Sequence, residues 1–385
     1  MAKPGTSPGP VILFTHEGIS YEYLKSLGLG PHGESLLLAR KRTSNNILEE
    51  VIVKCLGLTP GEPTEDQLRI RARLEEEARL SAYLQHPGLV RVLCHHEAKE
   101  ALYTVLECVN DPTLDELVGL ALERRKPFSE AFTLHVGVQV ASALAYVHTR
   151  EDEHGHPLGI VHRNLSSETV RFTWRGGVKL ADFGLSRSQL PGRRATTVRR
   201  PRGPLFFTAP ETLFEEKVDA RSDLFALGLV LLEFATGRHL FDPAHKTPRE
   251  LREALPAKER ERVERAVNAA KQQGHPDTAE QALWGAATFT REDVEQAAAS
   301  LSPVLGSILE QLLRKEPSER LQTAAELEEM LRVQLELVGP YDGRAAVAEL
   351  RRALTEAGEA LVAHELAPGL LSPSPRHSPD QISTR

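Results

Sequence analysis

Ile160-Val161-His162-Arg163-Asn164-Leu165, followed eighteen residues after Asn164 by Asp182-Phe183-Gly184, is the stretch from which the rest of the chain can be read. Between the two lies Val170 to Leu180, which reads as a β-hairpin. Asn164 has nearly the shape of an aspartate, but its amide cannot accept a proton from a hydroxyl. His162 reads as a buried structural histidine, not a catalytic one.

Composition bounds what can surround this stretch. A chain of 385 residues suffices for one large two-lobed domain or two ordinary ones, and 41% hydrophobic residues can fill a core. The net charge of −7 and pI near 6.1 argue against nucleic acid or a membrane surface as the main partner. Cys55, Cys94 and Cys108 are odd in number and lack metal spacing, which suits a reducing cytoplasm. No run reaches the roughly 18 apolar residues of a membrane span. Met1 to Pro10 lacks the basic-then-apolar order of a signal peptide.

Working outward, residues 1–18 read as a flexible lead-in. Residues 19–340 read as the main domain, with a β-rich N-lobe at about 19–109 and a helical C-lobe at about 110–340. Leu36 to Ala39, Val51 to Cys55, Leu89 to Leu93 and Ala101 to Leu106 are short apolar runs of strand length. Glu65 to Leu84 carries Leu68, Ala72, Leu80 and Leu84 at roughly helical spacing. Ser129 to His148 has an N-cap serine and Glu130 in its first turn. Ser222 to Thr236 is apolar almost throughout and predicts a buried helix ending near Gly237. Leu301 to Leu313 and Ala324 to Leu337 are amphipathic, 341–366 holds one more helix, and 367–385 is a Ser/Pro-rich disordered tail. The segment 240–299 reads as an added helical pair around Trp284 and a docking surface.

A small strand-rich lobe followed by a large helical one resembles the protein kinase layout, an α+β two-lobed fold, over roughly residues 20 to 340. Gly28-Leu29-Gly30-Pro31-His32-Gly33 has the spacing of a phosphate-covering loop. Alone the string also suits a hairpin turn or a dinucleotide fold, but here a strand follows where the dinucleotide motif opens a helix. Val51-Ile52-Val53-Lys54 resembles the strand whose lysine pairs with nucleotide phosphates and a helix glutamate. Of Glu75, Glu76 and Glu77, the last stands nine residues before His86-Pro87 and is the one the resemblance selects; at least one of the others is a solvated charge. Leu106-Glu107-Cys108-Val109 resembles the hinge, so the backbones of Glu107 and Val109 would meet an adenine. Asp182 would hold Mg²⁺. Ala209-Pro210-Glu211, Asp223 and Arg320 match a buried carboxylate, the acid that anchors the catalytic loop, and the arginine that pairs with Glu211. The motifs in this order are far more specific than any one of them.

Gly155-His156-Pro157-Leu158-Gly159 ahead of His162 is similar to bacterial eukaryotic-like Ser/Thr kinases, notably the myxobacterial ones. In such kinases the catalytic base is an Asp at the place of Asn164, and an Asn at the place of Thr169 holds a second Mg²⁺. Ser167 replaces a usual Pro, and Pro204 replaces a Thr that touches the base. Ile52 replaces a small Ala above the adenine, and Ser35 or Leu36 stands where a Val would pack against it. Loss of a general base costs about 10²- to 10⁴-fold, and loss of a metal ligand compounds it. The expectation is a pseudokinase that regulates or scaffolds a protein partner, such as an active kinase. The alternative is a low-activity Ser/Thr kinase, with Glu168 as the nearest acid to stand in for the base. Lys54, Glu77, Asp182 and the glycines favour weak ATP binding, and Ile52 opposes it.

In the segment Asp182 to Glu211, Arg193 to Arg202 reads as a solvated basic loop, or, more sharply, as a phosphorylation site at Thr196 or Thr197 that pairs with Arg163. His95, His96, His154 and His156 read as solvated side chains, and Cys108 as a small hinge residue.

Overall fold

The computed structural model describes residues 11–30, 33–43, 46–58, 61–109, 111–190, 205–214, 217–241, 248–272 and 278–366. Thr196, Thr197 and Pro204, and the tail at 367–385, lie outside these residues. An antiparallel sheet forms the N-lobe: β1 (Ile12–His16), β2 (Ile19–Leu29), β3 (Ser35–Arg42), β4 (Ile47–Gly57), β5 (Val92–Glu97) and β6 (Ala101–Glu107), in the order β1-β2-β3-β4-β6-β5. Helix α1 (Glu65–Ser81) joins β4 to β5 and opens on a Thr64/Gln67 capping box.

The two faces of the sheet have different covers. On one, Ile70 and Leu74 of α1 pack on Leu56 and Leu102. On the other, Phe14, Tyr21 and Tyr103 cover Ala39, Val51, Val53 and Val105. The Phe14 ring stacks 4.5 Å from both tyrosine rings and 4.8 Å from His96. This corrects the reading of a flexible lead-in over 1–18 for its described part, residues 11–18, while 1–10 lie outside the described residues. Residues 12–16 are a strand, paired with β2 through a two-residue turn in which Glu17 (φ 48°) and Gly18 (φ 77°) are both left-handed. That is the primed turn that matches strand twist.

The β5 boundary also moves. Leu89 bridges to Leu180 in the C-lobe, and Val90 N–H donates to Leu180 O at 2.9 Å, so this stretch ties the lobes together before the strand begins.

In the C-lobe come α2 (Leu114–Glu123), α3 (Glu130–His148), the hairpin β7 (Val170–Phe172) and β8 (Val178–Leu180), α4 (Pro210–Leu213) and α5 (Ala220–Thr236). The helices α6 (Pro248–Glu253), α7 (Ala257–Gln272), α8 (Thr278–Thr288), α9 (Arg291–Ala297), α10 (Pro303–Leu312), α11 (Ala324–Val338) and α12 (Gly343–Leu366) complete it. Almost every residue of α5 is buried, and the helix stops at left-handed Gly237. It is the core post against which α2, α3 and α10 pack.

Among the described residues between 240 and 299 there are four helices where a pair was expected. Their apolar faces turn inward: Leu283 and Trp284 are buried in the main core with Phe241 and Phe289. Trp284 is therefore spent on packing and cannot serve a docking surface. Helix α12 straps the lobe, with Ala346, Leu350 and Ala353 buried and Glu349 accepting from both Ser129 N–H and its hydroxyl.

Candidate functional site

Strand alternation aims Lys54 at the cleft. Leu38, Ile52 and Leu106 are cross-strand partners, and Leu36, Lys54 and Thr104 form the next row on the same face. Leu36, not Ser35, thus shares a face with Lys54, and Ile52 sits in the middle of an aliphatic row. The Lys54 ammonium donates to both Glu77 oxygens at 2.8 and 3.1 Å and to Asp182 Oδ1 at 2.9 Å. Burial disfavours its charge, but the Asp182 and Glu77 carboxylates more than reverse this and hold its pKa above the ordinary lysine value. Glu77 is pushed up by burial and by the Asp182 charge, with Lys54 opposing.

Of the three glutamates in α1, then, Glu77 reaches Lys54. Glu76 accepts from Ser188 Oγ at 3.0 Å, and Glu75 pairs with Arg71. Sequence reasoning gave Glu76 no role of its own, yet it clamps α1 to the segment after Asp182.

The catalytic-loop candidate is held from below. Asp223, at the head of α5, accepts from His162 N–H and Arg163 N–H at 2.8 Å each, and pairs with His148 Nε2 at 2.8 Å. This grip keeps Arg163 left-handed (φ 64°), a conformation that costs a non-glycine residue about 1–2 kcal/mol. His162 Nε2–H donates to Ala181 O at 3.0 Å while Nδ1 accepts from Asn164 N–H at 3.2 Å. Its ring stands edge-on to Phe183 at 4.5 Å, and burial lowers its pKa. A neutral imidazole with both nitrogens bonded is structural.

Asn164 is 3% exposed. Its Nδ2 donates to Asp182 Oδ2 at 2.6 Å, and its Oδ1 is buried with no partner among the described residues. The Thr169 hydroxyl donates back to Asn164 O at 2.9 Å and accepts from Ser166 N–H at 3.0 Å, stitching the loop. Asp182, itself left-handed at φ 68°, therefore has one oxygen on Lys54 and the other on Asn164. Glu168 is exposed; its pKa is raised by partial burial and by the Asp115 charge.

The glycine string caps the cleft. Gly28 (φ 98°) and Gly33 (φ 91°) occupy left-handed positions that favour glycine. At Gly30 a Cβ would run into the Glu34 side chain, which is 2% exposed beneath the loop. Glu34 and Asp182 both act on the mostly buried Arg73 of α1, whose own pKa burial lowers. Neither Glu34 nor Arg73 was singled out in the sequence. The spacing held a signal for Arg73, which stands four residues before Glu77 on the same helix face.

At the hinge, Cys108 and Val109 lie past the end of β6, outside the ladder. The Glu107 side chain accepts from Lys179 Nζ at 2.6 Å and from Arg91 N–H at 3.0 Å, and these partners outweigh burial to lower its pKa. Lys179 lies on β8, so this is a brace between lobes that the sequence did not reveal. Glu211 forms a fork with Arg320 at 2.7 and 2.8 Å and accepts from Ser222 Oγ at 2.6 Å. His95 Nδ1 bonds the Thr104 hydroxyl at 2.9 Å, and His96 stacks on Phe14, so both belong to the N-lobe packing.

Known proteins are similar to this chain in sequence. The chain is 30% identical over 253 residues to the tyrosine-protein kinase MasK of Myxococcus xanthus, covering 59% of this chain and 38% of MasK. It is 28% identical over 237 residues to an Aurora kinase of Schizosaccharomyces pombe, covering 62% and 60%. It is 29% identical over 170 residues to the serine/threonine-protein kinase PrkC of Bacillus subtilis, covering 44% and 24%. The chain thus spans about two-fifths of the length of MasK. Among its described residues no helix is long and apolar enough to cross a membrane. The family model of the protein kinase domain matches residues 21–332, and with the paired lysine, the anchored loop and the two lobes in place, the chain belongs to the protein kinase family.

Proposed function

We propose that this chain is a pseudokinase, a kinase-shaped module that regulates or scaffolds a protein partner, an active kinase being the first to seek. The observation that carries the reading is the hydrogen bond from Asn164 Nδ2 to Asp182 Oδ2. An amide committed as a donor at the base position cannot take a proton from a substrate hydroxyl. ATP is held weakly: the charged Lys54 favours a polyphosphate, while Ile52 and the Glu34 carboxylate oppose the purine and the phosphates.

Kinase domains as a family use ATP and Mg²⁺. The residues here do not fit the metal. Both Asp182 oxygens have donors from the protein, Thr169 turns its hydroxyl into the loop, and the described residues hold no group of three His, Cys, Asp or Glu side chains suited to a metal. What the chain's own groups supply is a fixed ammonium for an anion and a rigid floor beneath it.

Incubation with labelled ATP and Mg²⁺ or Mn²⁺ tests the reading. No autophosphorylation above an Asp182→Ala control is expected, and clear transfer abolished by that substitution overturns it. A pull-down from the native host identifies the partner. One arrangement favours a low-activity Ser/Thr kinase instead: the Lys54–Glu77 pair is formed and Asp182 faces it. The same assay separates the two.

A further inference from the structure

Asp182 is tied at both oxygens by its own protein, and the two ties differ in kind. Lys54 brings a charge to Oδ1 at 2.9 Å; Asn164 brings a neutral amide to Oδ2 at 2.6 Å. A divalent cation such as Mg²⁺ needs oxygen ligands at about 2.0–2.1 Å in near-octahedral order. To reach Oδ2 it must displace the Asn164 amide, whose hydrogens point their positive ends at the same place. Rotating the amide by half a turn would present Oδ1 instead. That would put the NH₂ group where Oδ1 now lies, a buried place in which Oδ1 has no hydrogen-bond partner among the described residues. The exchange gives up the bond from Nδ2 to Asp182 and desolvates the NH₂ group in its place. Thr169 cannot relieve this, because its hydroxyl is bonded to the loop on both sides. A carboxylate at position 164 reverses every term: two like charges at this separation demand a cation or a proton.

We propose that Asn164 is a metal-excluding residue, so that the cleft takes its nucleotide as the metal-free polyphosphate, held on Lys54. The nucleotide half of this rests on the preceding reading of the cleft; the metal half does not.

Free Mn²⁺, followed by its electron paramagnetic resonance signal without nucleotide, tests the metal half. The parent protein is expected to leave the signal at its buffer value. Asn164→Asp is expected to bind Mn²⁺ at least about tenfold more tightly. Adding Asp182→Ala to that variant should abolish the gain. The proposal is overturned if the parent binds Mn²⁺ as tightly as Asn164→Asp and loses it on Asp182→Ala, or if Asn164→Asp binds no more than the parent. Should Asn164→Asp not fold, Asn164→Ala removes the donor without adding charge. Uptake above the parent then supports the proposal, and none overturns it.

A fluorescent ADP analogue, titrated in EDTA and again in Mg²⁺, tests the nucleotide half. Dissociation constants within about twofold of each other are expected for the parent, and a gain of about tenfold with Mg²⁺ overturns metal exclusion. Binding in neither medium sinks the nucleotide reading, and the Mn²⁺ titration then judges metal exclusion by itself.

Discussion

Two buried polar clusters in this molecule have fared differently. Beneath the catalytic-loop candidate, Asp223 holds two backbone amides and His148, and Glu211 is matched fork to fork by Arg320. In the cleft above, Asn164 Oδ1 has no partner among the described residues, the Thr169 hydroxyl is bonded within its own loop, and a carboxylate lies beneath the glycines. The lower cluster keeps backbone in place; the upper one would touch reactants. The difference teaches that the groups that shape the loop and the groups that face the cleft are satisfied independently, since both carboxylates of the first set are paired at each oxygen while Asn164 Oδ1 in the second has no partner among the described residues.

Breaking the lower cluster should be the costliest change. Arg320→Ala leaves the Glu211 charge buried with the Ser222 hydroxyl as its remaining side-chain hydrogen bond among the described residues, and about 3–5 kcal/mol of stability should be lost in urea denaturation. A loss under 1 kcal/mol would mean that water reaches Glu211.

Repairing the upper cluster should sharpen the comparison. Asn164→Asp alone is expected to stay near background in phosphate transfer, because Thr169 still turns inward. Asn164→Asp with Thr169→Asn should gain about 10²-fold over the single change, because the second substitution adds the electrostatic stabilisation that the first lacks. A fully active single revertant would show that position 169 matters little.

A third carboxylate gives a pH test. Glu233 on α5 is pushed up to about 7, first by burial and then by the Asp115 and Glu168 charges, against a Ser167 hydrogen bond. From the unperturbed value of 4.5 up to about 7, the folded state keeps a proton that the unfolded chain releases. Its contribution is therefore full below pH 4.5 and is lost as pH rises through 7, by about 3 kcal/mol. Glu233→Gln should flatten this slope and be the more stable protein at pH 8. Identical slopes for variant and parent would refute the assignment.

The smallest expected effects lie at the cleft roof. Ile52→Ala should open room for a purine, and Glu34→Gln should remove an anion from beneath the glycines. Each should tighten ADP binding by up to about tenfold, read as a larger thermal shift. Lys54→Ala should abolish the shift. If millimolar ATP stabilises none of these proteins, the cleft is not a nucleotide site.

How much of this was legible depended on the reach of the interaction. Lys54, Glu77, Asp182, Asp223, Glu211 and Arg320 are written into short motifs of fixed spacing, so the sequence placed them without a structure. The β1 strand was missed because its Glu17-Gly18 turn lacks the usual Asn or Asp before the glycine, although Ile12, Phe14, Ile19 and Tyr21 alternate as strand residues should. Trp284 could not be told from an exposed anchor, since only the core it enters distinguishes the two. Glu107 with Lys179, 72 residues apart, and Glu76 with Ser188, 112 apart, leave no local trace. The Asn164 substitution was plain from the letters; that its amide grips Asp182 was not.

The Glu107–Lys179 contact has a bearing on association. Together with Lys54 on Asp182 it joins the two lobes at two places, the hinge and the cleft. A body so fastened has little internal freedom left to surrender. A partner gripping both lobes at once would meet a surface already near its bound shape, and its contact energy would go into affinity instead of into stilling a hinge.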